Sequence, residues 1–137
     1  MDEGSADAIE SVVPTTAMSA KRVLVIEDSI MVVIVIETVL KDLGWTMVGP
    51  ASRVKEALEL VETESFDGAM LDLNLDGEMT WDIAALLQDK GVPFVFSTGY
   101  DGSSFLPDRF AHQRVLSKPF GPEQIEQELN RLFASVP

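Results

Sequence analysis

The stretch Lys21-Arg22-Val23-Leu24-Val25-Ile26-Glu27-Asp28-Ser29-Ile30-Met31-Val32-Val33-Ile34-Val35-Ile36-Glu37-Thr38-Val39-Leu40-Lys41-Asp42-Leu43-Gly44 decides the fold. An apolar run near 22–26 reads as a buried strand, an acidic pair closes it, and helical spacing follows over 29–43. Val32, Val35, Ile36, Val39, Leu40 and Leu43 recur at intervals of three and four and supply a full buried face, with Gly44 as the C-terminal stop. Ile30, Met31, Val33 and Ile34 are then left over and are expected to face outward. They read either as scattered surface aliphatics or as a docking patch for a partner.

The same alternation continues outward from this unit. Strands are expected near 46–49, 67–71, Val92–Ser97 and Arg114–Ser117, and helices over 52–63, 79–90 and Pro122–Phe133, the last with Pro at its first turn. Parallel strands need crossovers, and right-handed crossovers place helices on both faces of a sheet. The expected fold is therefore α/β, a doubly wound sheet of five parallel strands. Between the fourth and fifth strands, the segment 100–111 holds Gly102, Ser103, Ser104 and Pro107, which oppose a full helix. A mobile loop with at most one or two turns is expected there, so the fourth helix is short or disordered.

The 137 residues suit one domain, read as 21–137 behind a flexible acidic N-terminal tail, 1–20. That tail lacks the charged and apolar regions of a signal peptide, and Met18 is an alternative start. No output domain is expected. A net charge of -13 disfavours binding to nucleic acid or to anionic membranes. The longest apolar run, Ile30–Ile36, falls far short of the roughly 20 residues that cross a bilayer. The absence of cysteine excludes disulfides and thiolate metal sites, and the cytoplasm is the expected location.

Five residues lie just beyond apolar runs: Glu27 and Asp28, Asp72, Thr98 and Lys118. In an open parallel sheet the carboxyl ends of the strands are where ligands bind. Asp72 is the candidate nucleophile, able to attack a phosphoryl group and form an acyl phosphate. Glu27 and Asp28 can hold Mg²⁺ beside it, an ion that prefers few carboxylates and keeps several waters. Thr98 and Lys118 suit the phosphoryl oxygens. Each residue alone has an ordinary reading: Asp72 as a turn cap, Glu27-Asp28 as a helix N-cap, Thr98 as a loop donor, Lys118 as a solvated cation. Their order along the chain carries the argument. Lys118 precedes Pro119, which pushes it towards extended geometry, and a cis bond would turn it inward.

Glu27-Asp28, Asp72, Thr98 and Lys118-Pro119 together resemble the response-regulator receiver domains of two-component signalling, over residues 21–134. Phe96-Ser97-Thr98-Gly99-Tyr100 is similar to the Phe-Ala-Thr-Gly-x-Tyr motif of a subgroup of single-domain receivers. The resemblance implies a flavodoxin-like receiver fold with Asp72 as phosphoacceptor. It also implies Mg²⁺ on Glu27, Asp28, Asp72 and the Asn74 backbone carbonyl, with Thr98 and Lys118 contacting the phosphoryl group. The implied phosphodonor is a sensor histidine kinase, with a histidine phosphotransfer protein as a further candidate partner and a monomer or weak dimer as the assembly. The chain departs from the family at Val115, where an aromatic switch residue is common, at Gly99, where Ala is common, and at Asp76, where many receivers have Pro.

The expected function is a phosphorylation-controlled module that works through protein contacts and catalyses only its own phosphoryl transfer and hydrolysis. The competing reading is a Mg²⁺-dependent phosphatase acting on a small phosphate ester. That class wants an acid two residues after the nucleophile, where this chain has Asn74. His112 is expected in a solvated or loop position, Trp45 in the core, and Trp81 either in the core or on a partner surface. Glu56, Glu59, Glu62, Glu64, Glu123, Glu126 and Glu128 are expected on solvated helix faces.

Overall fold

The computed structural model describes residues 20–99 and 106–134. Five parallel strands form its sheet: β1 (Arg22–Ile26), β2 (Thr46–Ala51), β3 (Gly68–Asp72), β4 (Phe94–Thr98) and β5 (Val115–Ser117), in the order β2-β1-β3-β4-β5. Four helices connect or close them: α1 (Ile30–Leu43), α2 (Val54–Thr63), α3 (Trp81–Asp89) and α4 (Pro122–Ala134). The strand order reverses its direction at β1, so β1 and β3 flank the switch point where open α/β sheets bind ligands.

Strand alternation divides the core. Leu24 and Ile26 on β1 and Leu71 on β3 join Ala57, Val61, Ile83, Leu87, Phe96 and Phe110 on the α2–α3 side. Val23, Val25, Met70 and Val95 point to the other face, against Ile36, Val39 and Leu40 of α1 and Ile125 and Leu129 of α4. Each fully buried aliphatic side chain contributes about 2 kcal/mol. Burial on both faces explains why the strands read as continuous apolar runs rather than alternating ones. None of the described helices is long and apolar enough to cross a membrane.

The helix ends follow local chemistry. Ser29 caps α1, its hydroxyl accepting from the Val32 N–H. Gly44 ends the helix at φ 77°, a left-handed conformation in which its N–H donates to the Leu40 and Lys41 carbonyls. Trp45 is buried and meets Phe133 edge-on at 5.3 Å between centroids. Trp81 also packs inward, stacked on Phe110 and edge-on to Phe96.

Three expectations need correction. Val33, expected to face outward with its neighbours, is buried, while Ile30, Met31 and Ile34 are 72%, 69% and 51% exposed. The expected face holds, with Ile36, Val39 and Leu40 buried and Val32, Val35 and Leu43 half-buried against the core, but it widens to include Val33. Glu128, expected on a solvated face, is buried on the same side of α4 as Ile125, Leu129 and Leu132. Its carboxylate is held there by Arg114 at the start of β5 and, at 3.5 Å, by Arg131. The third correction lies between β3 and α3. The helix expected from residue 79 starts at Trp81, and a two-stranded antiparallel hairpin, Asn74–Leu75 with Glu78–Met79, precedes it.

The 1–20 tail lies outside the described residues apart from Ala20, as does 100–105 of the expected loop. What is described of that loop is a single 3-10 turn, Asp108–Phe110. Arg109 pins the turn to α3 through Gln88, Asp89 and the Ala85 carbonyl. His112 is exposed.

Candidate functional site

The carboxyl edge of the sheet collects the charged residues. Glu27 and Asp28 follow β1, Asp72 and Thr98 end β3 and β4, and Lys118 follows β5. Glu27, Asp28 and Asp72 each offer a carboxylate oxygen within 4.8 Å of the others. Glu27 and Asp72 are buried and Asp28 is exposed, so the cluster opens to solvent on the Asp28 side.

Lys118 is the counterion. Its Nζ lies 3.0 Å from Glu27 Oε1 and donates to Glu27 Oε2 at 3.1 Å and to Asp72 Oδ2 at 3.0 Å. Its backbone N–H donates to the Thr98 carbonyl at 2.7 Å, which ties the two residues across neighbouring strand ends. The Lys118–Pro119 bond is cis. Thr98 is buried at its strand's end, one strand over from Asp72.

One ammonium facing three carboxylates leaves the site short of positive charge. Burial, followed by the neighbouring Asp72 charge, pushes the Glu27 carboxyl up to about 7, against the opposing pull of the Ser29 N–H and Lys118. Burial alone would lower Lys118, but hydrogen bonds and charge from Asp72 and Glu27 outweigh it and raise the ammonium above its ordinary value. Glu27 Oε1 is buried and accepts no hydrogen bond even with Lys118 Nζ nearby. An orphaned buried oxygen among three carboxylates fits a hard divalent cation of Mg²⁺ type.

The hairpin after β3 completes the site, and sequence reasoning missed it. Its turn residues Asp76 and Gly77 have φ of 51° and 92°, the left-handed pair of a type I′ turn, for which Asp-Gly is a preferred dipeptide. That dipeptide was the available signal. The Asp76 N–H donates to Asp28 Oδ2 at 3.0 Å, fastening the turn to the acidic pair 48 residues earlier. The Asn74 side chain accepts from the Gly77 N–H at 2.7 Å, and the Asn74 N–H donates to Asp72 Oδ1 at 3.2 Å. Asn74 pairs with Met79, and the Thr80 N–H bonds the Leu73 carbonyl next to them. This makes Asn74–Met79 a non-hydrogen-bonded pair, which leaves the Asn74 carbonyl outside the ladder. The structure thus brings Glu27, Asp28, Asp72, Asn74 and Lys118 together, with Thr98 joined through its carbonyl.

A parallel five-stranded sheet with an acidic cluster and a lysine at its carboxyl edge defines a doubly wound α/β domain with a charged site at its switch point. Within that class, the response regulator receiver domain model matches residues 23–130, and the chain belongs to this family of two-component signalling proteins. SdrG from Sphingomonas melonis Fr1 is similar at 35% identity and a TM-score of 0.73, over 82% of this chain and 96% of that one. The transcriptional regulatory protein LytR of Staphylococcus aureus is 30% identical over 94 residues, 67% of this chain but 38% of LytR. The chain therefore spans well under half the length of that curated relative. The receiver domain of the sensor histidine kinase PA1611 from Pseudomonas aeruginosa shares the fold, with a TM-score of 0.72 at 20% identity over 85% of this chain and 100% of that one. Its structure has a magnesium ion coordinated in the active site cleft.

Proposed function

We propose that this chain accepts a phosphoryl group on Asp72 from the phosphohistidine of a sensor histidine kinase and signals through protein contacts. The observation that carries this reading is the convergence of three carboxylates, within 4.8 Å of one another, on a lysine that bridges two of them. In the transfer, an Asp72 oxygen attacks phosphorus, the P–O bond forms as the P–N bond breaks, and the donor imidazole, protonated on its other ring nitrogen, leaves with the bonding pair as neutral imidazole. Glu27, Asp28, Asp72 and the Asn74 carbonyl would hold Mg²⁺, which when bound neutralises charge on the phosphoryl oxygens. Lys118 would turn from carboxylate to phosphoryl oxygen, and Thr98 would donate its hydroxyl to another.

The domain in this reading is residues 21–137, located in the cytoplasm, and it catalyses only its own phosphorylation and hydrolysis. Exposed Ile30, Met31 and Ile34 lie on the first two turns of α1, beside the acidic pair, and suit a transient protein contact. The phosphatase reading loses support at Asn74, an amide that cannot serve as the general acid. A histidine phosphotransfer protein would serve as an alternative donor or acceptor. Incubation with a small phosphodonor and Mg²⁺, followed by intact mass, tests the proposal. A gain of one phosphoryl group is expected, absent from Asp72→Asn; no gain in the parent chain would refute it.

A further inference from the structure

We propose that Thr80 is a positioning residue for the Asp72 site, pinning the phosphoacceptor's backbone and the base of the 74–79 hairpin through its hydroxyl. Thr80 occupies the N-cap position of α3, where a threonine hydroxyl ordinarily accepts from the first turn of the helix. It makes no such bond. The side chain is instead fully buried, and its Oγ1 donates to the Asp72 carbonyl at 2.7 Å, with the Leu73 carbonyl at 3.3 Å. Its own N–H donates to the Leu73 carbonyl at 3.1 Å. One residue thus gives up a local cap to bond the two peptide units on either side of the candidate nucleophile's exit from β3.

The consequence follows from the connections of the hairpin. The chain from Asp72 to Thr80 is a closed loop whose tip holds Asp28 through the Asp76 N–H and in which Asn74, the first residue of the hairpin, holds Asp72 Oδ1 through its N–H. Asn74 also carries the carbonyl read as a metal ligand. Thr80 is the point at which this loop is fastened to β3, by both a side-chain and a main-chain donor. Removing the hydroxyl leaves the Asp72 carbonyl without a buried donor and frees the loop base. Asp72, Asp28 and the Asn74 carbonyl then lose their common registration, whereas Lys118 and Glu27, fixed from other strands, keep theirs.

The inference rests on the proposed phosphoacceptor role, so its test has an arm independent of phosphorylation. Thr80→Val keeps the shape and deletes the hydroxyl, and Thr80→Ser keeps the hydroxyl. Calorimetric titration of the metal-free chain with Mg²⁺ is expected to show several-fold weaker binding for Thr80→Val and parent-like binding for Thr80→Ser. At saturating Mg²⁺, phosphoryl uptake from a small phosphodonor is expected to slow about tenfold in Thr80→Val, the equivalent of one buried hydrogen bond, and to stay within twofold in Thr80→Ser. Parent-like Mg²⁺ affinity in Thr80→Val, or equal loss in both variants, would overturn the inference. A parent chain that takes up no phosphoryl group while Thr80→Val still weakens Mg²⁺ binding sinks the phosphoacceptor reading and supports the positioning role. If Thr80→Val does not fold, Thr80→Ala deletes the hydroxyl without adding bulk and is compared with Thr80→Ser in the same two measurements; parent-like Mg²⁺ affinity in Thr80→Ala would overturn the inference.

Discussion

Magnesium binding to this site should strengthen about tenfold between pH 6 and pH 8, because a proton on Glu27 occupies the place the ion needs. In the metal-free protein, burial and the Asp72 charge hold the Glu27 carboxyl up to about 7, against an ordinary value of 4.5. About nine molecules in ten therefore carry that proton at pH 6 and about one in ten at pH 8, and a divalent ion must displace it to bind the carboxylate. One displaced proton gives an apparent Kd about tenfold weaker at pH 6 than at pH 8, or roughly 1.4 kcal/mol. Calorimetry in two buffers of different ionisation enthalpy should report about one proton released per ion at pH 6 and almost none at pH 8. The same group sets the stability of the metal-free fold. Its folded value lies above the unfolded one, so its contribution is fully present below pH 4.5 and is lost as pH rises through about 7. Stabilisation by a fixed excess of Mg²⁺ should grow over that window. Glu27→Gln should bind more weakly with a flat pH profile. A parent Kd that changes less than twofold between pH 6 and pH 8 would refute the reasoning.

Lys118→Ala removes the cation shared by Glu27 and Asp72 and should destabilise the metal-free protein by about 1–3 kcal/mol at pH 8, and by less at pH 6 where Glu27 is protonated. Denaturant midpoints that fall equally at both pH values would contradict this. Arg114→Ala leaves the buried Glu128 carboxylate with only the 3.5 Å contact from Arg131 and should cost about 2–3 kcal/mol in urea unfolding, whereas a double change to apolar residues should recover most of it. Phe110→Ala empties the space against Trp81 and Phe96 and should cost about 3–4 kcal/mol, with a shift in tryptophan emission; a loss below about 1 kcal/mol would mean the 3-10 turn is not docked as described.

The sheet was legible because its three central strands are buried on both faces. Val23–Ile26 and Phe94–Phe96 are apolar without interruption, and no partner is needed to recognise such runs. Boundaries were less legible: β2 extends to Ala51 because its last residue pairs with Ile26 past an irregularity after Leu24, a tertiary fact that periodicity does not carry. Val33 and Glu128 misled for one reason. Helical spacing names a face but not its width, and the adjoining element selects among neighbours: the buried stripe of α1 takes in Val33 as well, and Arg114 makes a buried site for Glu128 that α4 alone does not announce. Glu27, Asp28, Asp72 and Lys118 were visible as site residues because each lies at the end of an apolar run, buried in β1 and β3 and half-buried in β5. Thr80 was invisible, since nothing in its neighbours says that a threonine before a helix will donate backwards rather than cap forwards.

The charge arithmetic of the site explains why Lys118 can serve two states. Bridging Glu27 and Asp72 at 3.0 Å, it opposes both the burial that chiefly raises the Glu27 carboxyl and the repulsion from Asp72 that adds to it, and it outweighs neither fully. A resident lysine strong enough to neutralise the cluster fully would compete with a cation for the same oxygens and would hold Asp72 Oδ2 away from an incoming phosphorus. A lysine on an unrelated strand end would leave three carboxylates to repel one another and the edge of the sheet to fray. Lys118 stands between these limits because its backbone is fixed by the Thr98 carbonyl while its side chain, bonded to two carboxylates, remains one-fifth exposed. On the proposed phosphoacceptor reading, loss of its carboxylate bonds costs little once other positive charge arrives, and the ammonium would follow the negative charge from Asp72 to a phosphoryl oxygen. The Lys118 main chain stays bonded to the Thr98 carbonyl beyond the paired ends of β4 and β5, so the two residues keep one strand-end register whichever oxygen the ammonium faces.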